Sequence, residues 1–196
     1  MFTGIIECLG TLVKMKQDKK NVHLTIKSEI SNELKIDQSI AHNGVCLTVV
    51  NVNGGTHTVT AIDETMQKTN FHNLSIGMKL NLERCTKIGD RLDGHLVQGH
   101  VDGIATCLKV EENQGSWKFY FSGDDNVISL VVEKGSICIN GVSLTVVDVV
   151  GNEFSVAIIP YTYENTSFSI IEKGTTVNIE YDIVGKYVTK SLNLKQ

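Results

Sequence analysis

No apolar run in this chain approaches the ~20 residues that a membrane-spanning helix needs, and its lysines and arginines are scattered with no basic stripe among them. With 18 Lys and Arg against 22 Asp and Glu, the formal net charge is −4, which argues against nucleic acid and anionic membranes as partners. The five cysteines, Cys8, Cys46, Cys85, Cys107 and Cys138, are odd in number and contain no Cys-x-x-Cys pair. That spacing supports neither a disulfide framework nor a zinc knuckle, so most are expected to be reduced, small core residues. The opening Met1-Phe2-Thr3-Gly4-Ile5-Ile6 lacks the charged start and apolar core of a signal peptide, and a soluble, cytoplasmic protein is expected. Long amphipathic helical patterns are missing too. What remains is a small domain protein suited to a small neutral or polar ligand.

The chain carries a repeat. Ser39-Ile40-Ala41-His42-Asn43-Gly44-Val45-Cys46-Leu47-Thr48-Val49-Val50 returns as Ser136-Ile137-Cys138-Ile139-Asn140-Gly141-Val142-Ser143-Leu144-Thr145-Val146-Val147, an offset of 136 − 39 = 97 positions. The same offset pairs Thr65 with Thr162, Thr69 with Thr166, Phe71 with Phe168, Gly77 with Gly174, Asn81 with Asn178 and Glu83 with Glu180. Two copies of one domain are therefore expected, at 1–97 and 98–194, each inside the ~50–200 residue range in which one core can form. A duplicated fold implies two related pockets.

Period-two alternation at 22–27, 78–83, 154–158 and 177–180 marks half-buried strands. Turn signals such as Asn53-Gly54-Gly55 and Gly151-Asn152 recur at short intervals, which favours an antiparallel barrel over a βαβ array. One short helix is expected in each repeat, near 30–34 and 126–132. The tail at 183–194 spaces Ile183, Val184, Tyr187, Val188, Leu192 and Leu194 as a short amphipathic helix outside the duplication.

In the repeated block, Val45, Leu47 and Val49 project one way and Gly44, Cys46 and Thr48 the other, because side chains alternate along a strand. The second copy sets Val142, Leu144 and Val146 against Gly141, Ser143 and Thr145. The apolar face is expected to fill a barrel. The small, hydroxyl- or thiol-bearing face leaves room for a ligand, with glycine allowing close approach to the backbone.

These blocks, together with Met1-Phe2-Thr3-Gly4-Ile5-Ile6, Gly94-His95-Leu96-Val97-Gln98-Gly99-His100-Val101-Asp102-Gly103 and Ile158-Ile159-Pro160, closely resemble the riboflavin synthase family over essentially the whole chain. The resemblance implies an all-β fold: two tandem Greek-key antiparallel β-barrels related by internal duplication, plus a short C-terminal α-helix in a homotrimer contact. It implies dismutation of two molecules of 6,7-dimethyl-8-ribityllumazine, one giving a four-carbon unit to the other, with no metal or redox cofactor. Association with lumazine synthase is left open. By the same resemblance, ligand contacts in the first barrel fall on Gly4, Ile5, Ile6, Cys46, Leu47, Thr48, Thr60, Ala61, Ile62, Asp63, Glu64 and Thr65. Those in the second barrel fall on Gly99, His100, Val101, Lys134, Ser143, Leu144, Thr145, Ala157, Ile158, Ile159, Pro160, Tyr161 and Thr162, with Asp182 near the site.

The repeat alignment breaks symmetry where chemistry is expected: Cys46 faces Ser143, Ile5 faces His100 and His42 faces Ile139. Cys46 and Ser39 are the candidates for donating to or attacking the first barrel's lumazine. His100 is the candidate base or proton shuttle from the second barrel, and Thr145 a hydrogen-bonding group. A shared metal between His95 and His100 is disfavoured by their odd spacing. Asn140 and Thr60 stand where aspartate occurs in some relatives, which questions the charge at the ribityl or uracil end. The rival reading within this fold is a non-catalytic lumazine-binding antenna.

Overall fold

The alternation near residue 22 becomes strand β2 (Asn21–Lys27), with Val22, Leu24 and Ile26 buried, in a computed structural model that describes residues 1–193. On one side β2 pairs with β1 (Cys8–Asp18), and on the other with β5 (Thr56–Ala61). From β5 the ladder continues through β4 (Val45–Asn53) and β3 (Ser39–His42) to β6 (Lys79–Arg84), which returns to β1 and closes a barrel. The second half repeats that order with β7 (Gly103–Glu112), β8 (Trp117–Ser122), β9 (Ser136–Ile139), β10 (Val142–Val150), β11 (Glu153–Ile158) and β12 (Thr176–Tyr181), also closed. Closure removes the free strand edges that a small open sheet would expose.

The face assignment holds in both copies. Val45, Leu47 and Val49 are buried in the first core, while Cys46 is half-buried and Thr48 exposed. Val142 and Val146 are buried and Leu144 partly so in the second, with Ser143 half-buried and Thr145 exposed. The second core is the more aromatic, with Phe119 edge-on to Phe168 at 5.0 Å between ring centroids.

Each repeat contains more helix than its periodicity suggests. The expected turns appear as a 3-10 turn at Glu29–Glu33 and a single α turn, α2 (Asp125–Ile128). Two α-helices were not anticipated, α1 (Asp63–Lys68) and α3 (Pro160–Asn165), each six residues long, too short to show an amphipathic period, and followed by a 3-10 turn, at Asn70–Asn73 and Ser167–Ile170. The tail forms α4 (Ile183–Asn193). Leu194, the last residue of the expected helix, lies outside the described residues.

The retained Asn43, Gly44 and Asn81, with their counterparts Asn140, Gly141 and Asn178, hold the two barrels together through reciprocal contacts. Asn43-Gly44 and Asn140-Gly141 are two-residue hairpin turns with positive φ at both positions, 45° and 78° in the first, 47° and 83° in the second. They meet back to back. A Cβ on Gly44 would lie 2.7 Å from the Gly141 nitrogen, so these glycines admit each other's backbone, and a ligand has no access there. Asn81 Nδ2 donates to the Asn140 carbonyl at 2.8 Å and Asn178 Nδ2 to the Asn43 carbonyl at 2.9 Å. Asn140 is thus a buried interface residue that accepts from the Asn178 N–H at 2.8 Å, far from any role in charging a ribityl pocket.

Candidate functional site

The segments preceding each barrel cross to the other one. Gly4 carries its carbonyl to the Ser143 N–H on β10 at 2.8 Å, and Ile6 packs on the second core. Gly99 carries its carbonyl to the Cys46 N–H on β4 at 2.9 Å, and Val101 packs on the first core. Both glycines are left-handed, with φ of 78° and 80°, and a Cβ on either would sit 2.6 Å from the Ser143 Cβ or 2.5 Å from the Cys46 Cβ. No other residue fits these two positions.

The crossing corrects the grouping expected from sequence. Gly4, Ile5 and Ile6 join the second barrel's face, whereas Gly99, His100 and Val101 join the first. The physical reason is that each leading segment lies between the two barrels: Gly4 bonds Glu83 of the first and Ser143 of the second, and Gly99 bonds Glu180 of the second and Cys46 of the first.

On the first face, β3 pairs with β4 so that Ser39 stands opposite Thr48 and Ala41 opposite Cys46, which brings the two candidate nucleophile or proton-donor residues, Ser39 and Cys46, near one another. Burial pushes the Cys46 thiol up, and Ser39 opposes that rise. A thiol held above its usual range is protonated at neutral pH, which suits it to donating a proton or hydrogen bond. His100 is exposed on the turn following Gly99, next to Cys46 along the crossed segment. Thr60 Oγ1 bonds His23 Nδ1 at 2.9 Å on the outer face of β5. Leu47 and Ala61 point into the core and can offer only backbone to a ligand. Ile62 is exposed, and Asp63, Glu64 and Thr65 open α1, where Glu64 is tied to Lys68 at 2.8 Å. Beside this face a cleft of about 820 Å³ runs past Thr3, Ile5, Ser39, Glu83 and Cys85.

The second face has different chemistry. Ser143 Oγ bonds His95 Nδ1 at 2.6 Å, while His95 Nε2 is buried with no partner among the described residues. Burial holds this imidazole below its usual range. Thr145 and Ala157 are exposed, Leu144 and Ile158 serve the core, and exposed Ile159 leads into α3 through Pro160, Tyr161 and Thr162. Lys134 is exposed, with Nζ 3.4 Å from the Val147 carbonyl. Asp182 Oδ1 accepts from the Val184 N–H at 2.9 Å and so begins α4.

Four side chains stand differently from expectation. His42 is wholly buried in the first barrel against His57, so its mismatch with Ile139 reflects core packing. His95, weighed only as a metal ligand, is the partner of Ser143. Glu83 and Glu180 were visible as a retained pair, yet nothing in the pattern shows that they hold the crossed segments.

The Lumazine binding domain model matches residues 3–85 and again 98–182. The chain is 40% identical over 194 residues to riboflavin synthase of Bacillus subtilis (strain 168), covering 98% of this chain and 90% of that one. It is 36% identical to riboflavin synthase of Saccharomyces cerevisiae, over 99% of this chain and 87% of the relative. Among solved structures, LumP complexed with riboflavin superposes with a TM-score of 0.86 at 26% identity, covering 92% of this chain and 99% of that one. LumP complexed with 6,7-dimethyl-8-(1'-D-ribityl) lumazine gives 0.83 at 26% identity, over 92% and 98%.

Proposed function

This chain belongs to the riboflavin synthase family of transferases, built from two lumazine-binding domains, and on that premise we propose that it dismutates 6,7-dimethyl-8-ribityllumazine. Two molecules enter, a four-carbon unit passes from one to the other, and riboflavin and 5-amino-6-(ribitylamino)uracil leave. The two domains are taken as 1–97 and 98–194.

The observation that carries this reading is the pairing of like-built but unequal faces. One presents Ser39 beside the Cys46 thiol, the other Ser143 hydrogen-bonded to His95. Identical reactants need matching cradles, and unequal roles need different polar groups in them. The reaction requires a proton to leave the C7 methyl of one lumazine, addition at C7 of the other, and proton shuttling during ring closure and elimination. Cys46, Ser39 and His100 serve the first pocket, and Thr145 with Ser143 the second. Stacking two rings in register can lower a barrier by ~7–11 kcal/mol, against ~10²–10⁴-fold for one side-chain acid or base. Positioning therefore outweighs any single side chain.

For the rings to meet, the first pocket of one subunit faces the second pocket of a neighbour in a homotrimer. Exposed Val184, Tyr187, Val188 and Leu192 on α4 suit that contact. No described helix is long and apolar enough to cross a membrane, and the proposed setting is the cytoplasm.

The likeness to LumP supports a second reading, a lumazine-holding antenna without turnover. Incubating the purified protein with 6,7-dimethyl-8-ribityllumazine and following riboflavin absorbance separates the two. Turnover is expected; tight retention without product would establish the antenna instead.

A further inference from the structure

Glu83 and Glu180 are buried carboxylates, 4% and 2% exposed, near the ends of β6 and β12. Glu83 accepts from Thr3 N at 2.6 Å, Thr3 Oγ1 at 2.8 Å and Gly4 N at 3.0 Å. Glu180 accepts from Gln98 N at 2.6 Å, and from Gly99 N and His100 N at 2.9 Å each. Glu83 and Glu180 join the ladders to β3 and β9 opposite Ala41 and Cys138, a pairing made by main chain, which leaves both carboxylates for other partners. Both serve a loop. Burying a carboxylate is costly unless several donors surround it, and here the donors are successive N–H groups of a segment that then leaves for the other barrel.

We propose that Glu83 and Glu180 are positioning residues that act crosswise: each carboxylate, rooted in one barrel, sets the wall of the other barrel's pocket. Glu180, from the second barrel, holds Gly99 over Cys46 and places His100 at the first pocket. Glu83, from the first barrel, holds Gly4 over Ser143 at the second. Ligand binding at one pocket is thereby tied to the fold of both halves. The proposal rests on the reading of these faces as lumazine pockets, but its geometry can be tested without ligand.

The test is alkylation of Cys46 by iodoacetamide in the full-length protein, followed by peptide mass spectrometry, for wild type, E180Q and E83Q. Glutamine keeps the volume but turns an amide NH2 toward backbone N–H donors, which releases the segment. E180Q is expected to raise the Cys46 rate about tenfold or more while E83Q leaves it within about twofold. In an S143C background the order reverses, with E83Q exposing the introduced thiol and E180Q sparing it. Equal effects of both variants at either thiol, or no effect of E180Q at Cys46, would overturn the proposal. Should a glutamine variant not fold, E180D and E83D, which keep the charge and shorten the reach, must show the same crossed pattern. If the pattern is crossed but riboflavin does not protect Cys46 in the wild type, the lumazine reading fails and the crosswise clamp stands.

Discussion

His42 Nε2 lies 2.9 Å from His57 Nε2 inside the first barrel, and His57 Nδ1 lies 2.9 Å from Ser31 Oγ. One ring must donate and the other accept, so the pair cannot take up two protons without placing two cations in contact. Burial, with His57 beside it, holds His42 at about 3, and burial holds His57 at about 4. The second barrel replaces this polar trio with the buried residues Ile128, Ile139 and Phe154.

Acid should weaken the first barrel through this pair. In the unfolded chain each imidazole takes a proton below its ordinary value of 6.5, whereas in the fold it does so only near 3 or 4. Between those limits the unfolded state binds more protons, so stability falls as pH falls; above about 6.5 the pair adds no slope. By about pH 5 the loss is roughly 2 kcal/mol per histidine. Glu83 and Glu180, pushed up by burial, act in the opposite sense, from the ordinary carboxylate value upward. Urea midpoints from pH 8 to pH 5 check this, and S31I/H42I/H57F, copying the second barrel, should flatten the slope.

Replacing Cys46 by serine should slow turnover by ~10²–10⁴-fold while riboflavin affinity changes little, since acid or base groups contribute on that scale and pocket volume is kept. Steady-state rates with fluorescence titration check both. Wild-type turnover in C46S would remove Cys46 from the mechanism.

The inter-barrel glycine turns should tolerate no side chain. G44A combines a left-handed φ with a Cβ 2.7 Å from the Gly141 nitrogen, whereas G54A at φ 53° meets nothing within 4 Å. Both pay left-handed strain of about 1–2 kcal/mol, and G44A should lose clearly more. Comparable denaturation midpoints for the two would contradict the back-to-back packing.

Truncation after Ile183 should prevent the proposed trimer from forming and abolish most activity while leaving the barrels folded. Val184, Tyr187, Val188 and Leu192 lie exposed on α4 in the single chain. Sedimentation of an intact trimer after truncation would contradict the role given to the helix.

Much of this architecture is legible in the sequence because duplication repeats its own evidence. Cys46 with Ser143 and Thr48 with Thr145 share their faces, and Asn43-Gly44 announces a hairpin twice. The crossing was not legible, since an offset aligns Gly4 with Gly99 but says nothing of which barrel either one touches. That depends on contacts between residues far apart in the chain, such as Cys46 with Gly99 and Gly4 with Ser143. His42 misled for a related reason: a mismatch between repeats can arise from a different core as readily as from a different pocket. Helices α1 and α3 escaped notice because six residues hold too few turns to display a period.

Calorimetric titration of the purified protein with riboflavin tests the pair of pockets most directly. Two unequal binding events per polypeptide are expected, the tighter one lost on disturbing a single face. A lone event per polypeptide, at every concentration reached, would contradict the account.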